Sequence, residues 1–202
     1  MEIQVLLLAK TAYGENALRL SYIGAETGFG TAFKRAAKRL SGKAQPDLFD
    51  TALMQTEPAR KGQGQNVKSY TPLHRRNHIP RNYDRFEYAC RVSILLCKNG
   101  PYLEDARQTH RLTNLAFDAF DNPESPPHII YLKFLYQLLR QEGFPVRQSW
   151  RQTLPGNQGE ALAHLLAHPL EDLTDHPTHP CDELIQSLEN WTRHESSIQI
   201  PS

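Results

Sequence analysis

The sequence predicts an α+β chain in two parts, a small closed β-barrel over residues 1–79 and an all-helical bundle over 80–202. Three observations carry this. Five short apolar runs with turn residues between them fill the first 75 or so positions. Near Pro80 the hydrophobic period changes from two to about 3.6. Beyond it, segments open on proline and close on Asn-Gly or Gly, as helices do.

"IQVLLLAKTAY" is the first strand and ends in the turn "YGEN". "ALRLSYIG" sets Leu18, Leu20 and Tyr22 against Arg19 and Ser21, the alternation of a half-buried strand. "ETGFG" supplies the Gly-bearing turn of a hairpin. After a basic stretch come "DLFDTALMQTEP" and, past "ARKGQGQN", "VKSYTPL". Five strands are enough to close a barrel, and closure removes exposed edges. In the second half, "PRNYDRFEYACRVSILLCKNG" places Phe86, Ala89, Cys90, Ile94 and Cys97 on one stripe, expected to be buried. "PYLEDARQTHRLTNLAFDAF" follows, then the break "DNPESPP". "HIIYLKFLYQLLRQEGF" has Ile129, Leu132, Leu135, Tyr136 and Leu139 on its apolar face and stops at Gly143. "GEALAHLLAHPLEDL" and "CDELIQSLENWTRHE" are two more helices around the proline-rich "TDHPTHP".

Composition narrows the function classes. Residues 1–80 hold 12 Lys/Arg against 6 Asp/Glu, a net of +6, whereas residues 81–202 carry −5. The first half is therefore the one expected to meet a polyanion. No window approaches the roughly 20 apolar residues of a membrane span. The start "MEIQVLLLAK" has the wrong flank charge for a signal peptide. Cys90, Cys97 and Cys181 lack CxxC spacing, which favours reduced thiols and a cytoplasmic location.

Catalytic and metal patterns are weak. His74 with His78, or His176 with His179 and Cys181, give two or three ligands where structural zinc needs four. No phosphate-binding loop, dinucleotide fingerprint, nucleophile elbow or HExxH is present. Asp47 and Asp50, three apart on a predicted strand, are expected on opposite faces and so unable to share a proton. The expectation is a protein without enzymatic activity, metal or cofactor.

Cations point elsewhere. "TAFKRAAKRLSGK" brings Lys34, Arg35, Lys38, Arg39 and Lys43 with no acid among them, and each could displace a counterion from a phosphate backbone. Lys61 and Lys68 add charge around the next loop, Arg75 and Arg76 around the junction. Tyr13, Phe29, Phe33 and Tyr70 are candidate platforms for bases. Phe29 and Phe33 fit the barrel core better.

The ordered set of segments resembles the RecO family of bacterial DNA-repair proteins over roughly residues 2 to 150. The resemblance is carried by "EIQVLLLAKTAYGENALRLSYIGAETG", "AFKRAAKRLSGKAQPDLFDTAL", "GQGQNVKSYTPL" and "YLKFLYQLLRQEGF". It implies an oligonucleotide-binding (OB) barrel followed by a helical domain, with residues 29 to about 35 as a strand and the cations beyond it on a loop. It implies a recombination mediator without turnover, which binds single- and double-stranded DNA, anneals complementary strands and works with RecR to load RecA. It further implies that the acidic, apolar-tipped C-terminal tail of single-stranded DNA-binding protein docks on the helical domain. Lys133 and Arg140 are the expected tail contacts, with Arg107 and Arg111 as further candidates. Many family members carry a four-Cys zinc element after the Gly-aromatic helix end. Here "GFPVRQSWRQTLPG" has none of those cysteines, so no zinc is expected. The residues themselves leave open an RNA-binding barrel, a protein-interaction scaffold, or a hydrolase with a metal near His74 and His78.

Overall fold

A computed structural model describes residues 1–35, 44–59, 64–173 and 178–201. The chain divides into two units, Met1–Arg76 with Leu96–Arg111, and Asn77–Leu95 with Leu112–Ser202.

In the first unit the alternating segments form β1 (Glu2–Tyr13), β2 (Ala17–Gly24), β3 (Gly28–Arg35), β4 (Thr51–Pro58) and β5 (Gln65–His74). They close into a barrel in the order β1-β2-β3-β5-β4, the five-stranded arrangement of an OB barrel. Four junctions are antiparallel. The fifth is a short parallel contact in which Ala32 and Phe33 lie beside Gln65 and Asn66. β1 serves two neighbours, with β4 beside its first half and β2 along most of its length. A shift in register between Leu7 and Ala9 bends it around the barrel. Ile3, Val5, Leu7, Leu20, Tyr22, Ala32, Ala52, Met54 and Tyr70 fill the interior.

Alternation along β3 turns Ala32 inward and Phe29 and Phe33 outward, contrary to the expectation that these rings are core. Phe29 packs instead on Gly100, where an added Cβ would meet the ring at 2.2 Å. Only glycine fits there.

Residues 47–50 differ from the expected strand. They form a turn ahead of β4 in which Phe49 has a φ of 67°. The turn brings the two acids together, because Asp47 N donates to Asp50 Oδ2 at 3.1 Å. Asp50 is buried and also accepts from the Tyr70 hydroxyl at 2.8 Å. Burial pushes its carboxyl above the ordinary range despite those bonds. Asp47, though partly buried, is held below it by Lys10 and the Leu48 N–H. A raised folded-state pKa means that Asp50 favours the fold fully below its unfolded value of about 4. That contribution is lost as pH rises through the folded value. Asp50→Asn keeps an acceptor for Tyr70 and removes the titration. Its urea midpoint relative to wild type is expected to improve from pH 4 to pH 7, and a pH-independent difference would contradict the assignment.

The second unit contains residues 83–95 of α1 (Tyr83–Asn99), residues 112–121 of α2 (Ala106–Asp121), and α3 (Pro127–Gln141), α4 (Trp150–Thr153), α5 (Gly156–Ala167) and α6 (Thr178–Glu195). α3 is buried nearly all round and packs on α6. The Tyr131 hydroxyl donates to Glu189 at 2.7 Å, and Arg91 bonds the same carboxylate while lying over the Tyr131 ring. α3 stops as the sequence predicts. Gly143 takes a φ of 79°, and the N–H groups of Gly143 and Phe144 cap the carbonyls of Arg140 and Leu139. The chain then turns back, anchored by buried Val146 and by Trp150, whose indole N–H donates to Ser187 Oγ at 3.0 Å.

α1 is rotated from the expected stripe. Ala89 is buried with Arg85 and Val92, whereas Phe86, Ile94 and Cys97 are exposed. Arg85 explains part of the orientation. Its guanidinium donates to the carbonyls of Phe120 and Ser125, each at 3.2 Å, and to those of Asn122 and Pro123. Arg85→Met is expected to leave these carbonyls short of donors and to cost about 2–4 kcal/mol, read from urea unfolding. A loss below about 0.5 kcal/mol would show that water replaces the guanidinium freely.

Candidate nucleic-acid and peptide interfaces

Cations on the barrel fall into distinct environments. Lys34 sits on the core side of β3 and is buried. Arg35, one residue on, is exposed at the strand end. Lys38, Arg39, Lys43 and Lys61 lie outside the described residues. Lys68 is exposed and ion-paired with Glu57 at 2.8 Å. Arg75 donates to the Gln45 carbonyl at 2.9 Å and lies 3.9 Å from Asp50. Arg76 is buried and donates to the Phe49 carbonyl and to Thr51 Oγ1, so its charge serves the barrel wall.

Sequence reasoning passed over Arg19, which is exposed on β2 directly beside Phe33 of β3. The alternation Leu18-Arg19-Leu20 carried the signal. Of the aromatic candidates, Tyr70 is committed to the core and Phe29 to Gly100. Tyr13 and Phe33 meet on the outer face, with ring centroids 4.6 Å apart.

The helical unit contains a cavity of about 450 Å³. Its walls are apolar, from Leu112, Leu115, Ala116 and Ala119 of α2 and Ile130 and Phe134 of α3. Leu115 is 59% exposed, an apolar lip. Four cations line the same cavity. Lys133 and Arg140 come from α3, as expected, and Arg147 and Arg151 come from the segment that returns after Gly143. None of the described residues lining it is acidic, although this half of the chain is net negative. Arg140 and Arg147 are exposed and also line a neighbouring cavity of about 350 Å³. Burial lowers the Lys133 ammonium from its ordinary pKa, with Glu171 acting in the opposite sense. Its Nζ donates to the His168 carbonyl, which fixes the amine at the wall.

Arg107 and Arg111 do not line this cavity. Both belong to the barrel unit, where Arg107 forms a two-pronged ion pair with Glu26 at 2.6 and 2.7 Å. Arg147 and Arg151 were missed because they follow the end of α3 and reach the cavity only through the chain reversal after Gly143. The pattern "VRQSWR", two arginines around a buried tryptophan, was their available signal.

Among the described residues no group of three His, Cys, Asp or Glu is placed to hold a metal. His78 instead pairs with Asp121, its N–H donating to Oδ1 at 2.7 Å. His176 lies outside the described residues. Burial pushes the Cys181 thiol up to about 12, which leaves it almost wholly protonated at neutral pH. No helix among the described residues is long and apolar enough to cross a membrane. No protein-family model matches the sequence, and no curated protein matches it. The architecture is that of an OB-like barrel with a helical domain, a combination suited to binding nucleic acid.

Proposed function

We propose that the protein is a non-enzymatic DNA-binding mediator of the RecO kind, with nucleic acid on the barrel and an acidic, apolar-tipped peptide tail in the helical cavity. The observation that carries this reading is the cavity, an apolar hole lined by Lys133, Arg140, Arg147 and Arg151 with no acid among its described lining residues. An apolar side chain the size of Phe or Leu gains about 1.5–3 kcal/mol on burial. Each exposed cation–carboxylate pair adds at most about 1 kcal/mol and is screened by salt. After the cost of ordering a short peptide, such terms support micromolar binding, which suits a tail that must let go. RecR, single-stranded DNA-binding protein and, through them, RecA are the partners that the family resemblance supplies to this scheme.

Two measurements test the two halves. For the cavity, a short labelled peptide rich in Asp and ending in two apolar residues is titrated against the full chain. Micromolar, salt-sensitive binding is expected, about 3–10-fold weaker in Arg147→Ala and in Arg151→Ala and lost in Arg140→Glu. No binding by wild type would overturn the tail reading. For the barrel, anisotropy of a labelled single-stranded oligonucleotide is compared between wild type and a variant with Arg35, Lys38, Arg39 and Lys43 changed to Ala. The variant is expected to lose most affinity, with a salt slope shallower by about 2–3. Lys34 is left intact because it is buried in β3. Peptide binding without any oligonucleotide binding would instead favour a protein-interaction scaffold.

A further inference from the structure

The outer face of the barrel carries a feature that phosphate binding does not require. Strand pairing sets Tyr13 opposite Ala17 and Ala17 opposite Arg35. The adjacent row runs Thr11, Arg19, Phe33. Leu18, Leu20 and Ala32 point into the core, so Tyr13, Arg19, Phe33 and Arg35 share the outside. Ala17 is small, and the Tyr13 ring leans across it to reach Phe33, at 4.6 Å between centroids and 49° between planes. Phe33 is backed on another side by Gly64, whose backbone lies so close that an added Cβ would stand 3.0 Å from the ring. Phe33 is thus half-buried and braced, while Tyr13 remains 57% exposed. The Tyr13 hydroxyl has no hydrogen-bond partner among the described residues. A ring left so exposed contributes little to the barrel core.

We propose that Tyr13, braced by Phe33, is a stacking platform for an unpaired base of single-stranded DNA whose backbone is held by Arg19 and Arg35. This rests on the nucleic-acid half of the proposed function and goes beyond it by distinguishing single strands from duplex. Two arguments select this occupant over a protein. The cations flanking the ring are exposed arginines, which suit phosphates. Of the acids on the adjoining elements, Glu15 stands in the β1–β2 turn and Glu57 of β4 is already paired with Lys68. The platform also lies on the β2–β3 face beside the β1–β2 turn, the face on which OB barrels take oligonucleotides. An aromatic face binds any base in sequence-tolerant fashion, but in a duplex those faces are already stacked on one another.

The test uses the full chain and three labelled probes of equal length: a deoxythymidine strand, an abasic single strand and a duplex. Tyr13→Leu keeps an apolar group over Phe33 and removes the π-face. It is expected to bind the thymidine strand about 10-fold more weakly, within the range for loss of one stacked base. Affinity for the abasic strand and the duplex should stay within about twofold, with an unchanged salt slope, and Tyr13→Trp should restore the loss. Equal losses on all three probes, or none on the thymidine strand, would overturn the platform while leaving wild-type DNA binding intact. Failure of wild type to bind any probe would overturn the nucleic-acid reading as well.

Discussion

Everything on the barrel surface depends on how the sheet is closed. The closing junction between β3 and β5 is parallel and spans only the Ala32–Gln65 and Phe33–Asn66 pairs. It nevertheless fixes the parity of β3, because side chains alternate with a period of two and a one-residue slip would exchange the faces. With Ala32 inside, the neighbouring Lys34 is drawn inward, and Phe33 and Arg35 stand outside. The long pairing of β2 with β3 carries the same parity to Arg19, and that of β1 with β2 carries it to Tyr13. The register that places Ala32 inside is therefore what puts aromatic and cationic side chains on one outer face.

The helical unit obeys a different constraint, the need to end α3 sharply. Buried on nearly every side, α3 cannot run on into solvent without exposing an apolar surface. Gly143 stops it in a left-handed conformation, and Val146 and Trp150 pull the following segment back into the unit. The turn delivers Arg147 and Arg151 to a cavity already lined by Lys133 and Arg140. Apolar burial and the bond from Trp150 to Ser187 hold the return.

Much of the fold was legible because its signals are local. Alternation located β2, glycines marked the turns, and prolines with Asn-Gly or Gly bounded the helices. Residues up to Arg35 are strand, as expected despite the helix-favouring "TAFKRAAKRL", since the tertiary demand of closure outweighs propensity. What stayed hidden depended on which neighbour each face meets. α1 carries apolar residues on more than one face, so periodicity picked out Ala89 correctly but did not select Val92 over Phe86 and Ile94. Phe33 looks like core by hydrophobicity, yet parity turns it out. Asp47 and Asp50 looked separated only under the assumption of a strand; a turn at Phe49 unites them. In the candidate cavity, Lys133 and Arg140 were anticipated, whereas Arg147 and Arg151 reach it only through a chain reversal after the helix.

Under the proposed function, the division of charge along the chain acquires a physical meaning. DNA is bound largely through its backbone charge, so a surface that meets it works best with a surplus of cations, as residues 1–80 provide. An acidic peptide presents the same sign of charge and could be confused with nucleic acid by an open basic surface. The helical half avoids this by carrying a net negative charge while gathering four cations around an apolar cavity. A polyanion approaching that half meets repulsion overall, and its phosphates gain nothing from apolar walls. A peptide ending in apolar side chains gains from both the walls and the local cations. Under the proposed function, discrimination between the two anionic partners would come from pairing a local attraction with a general repulsion, without two different cations.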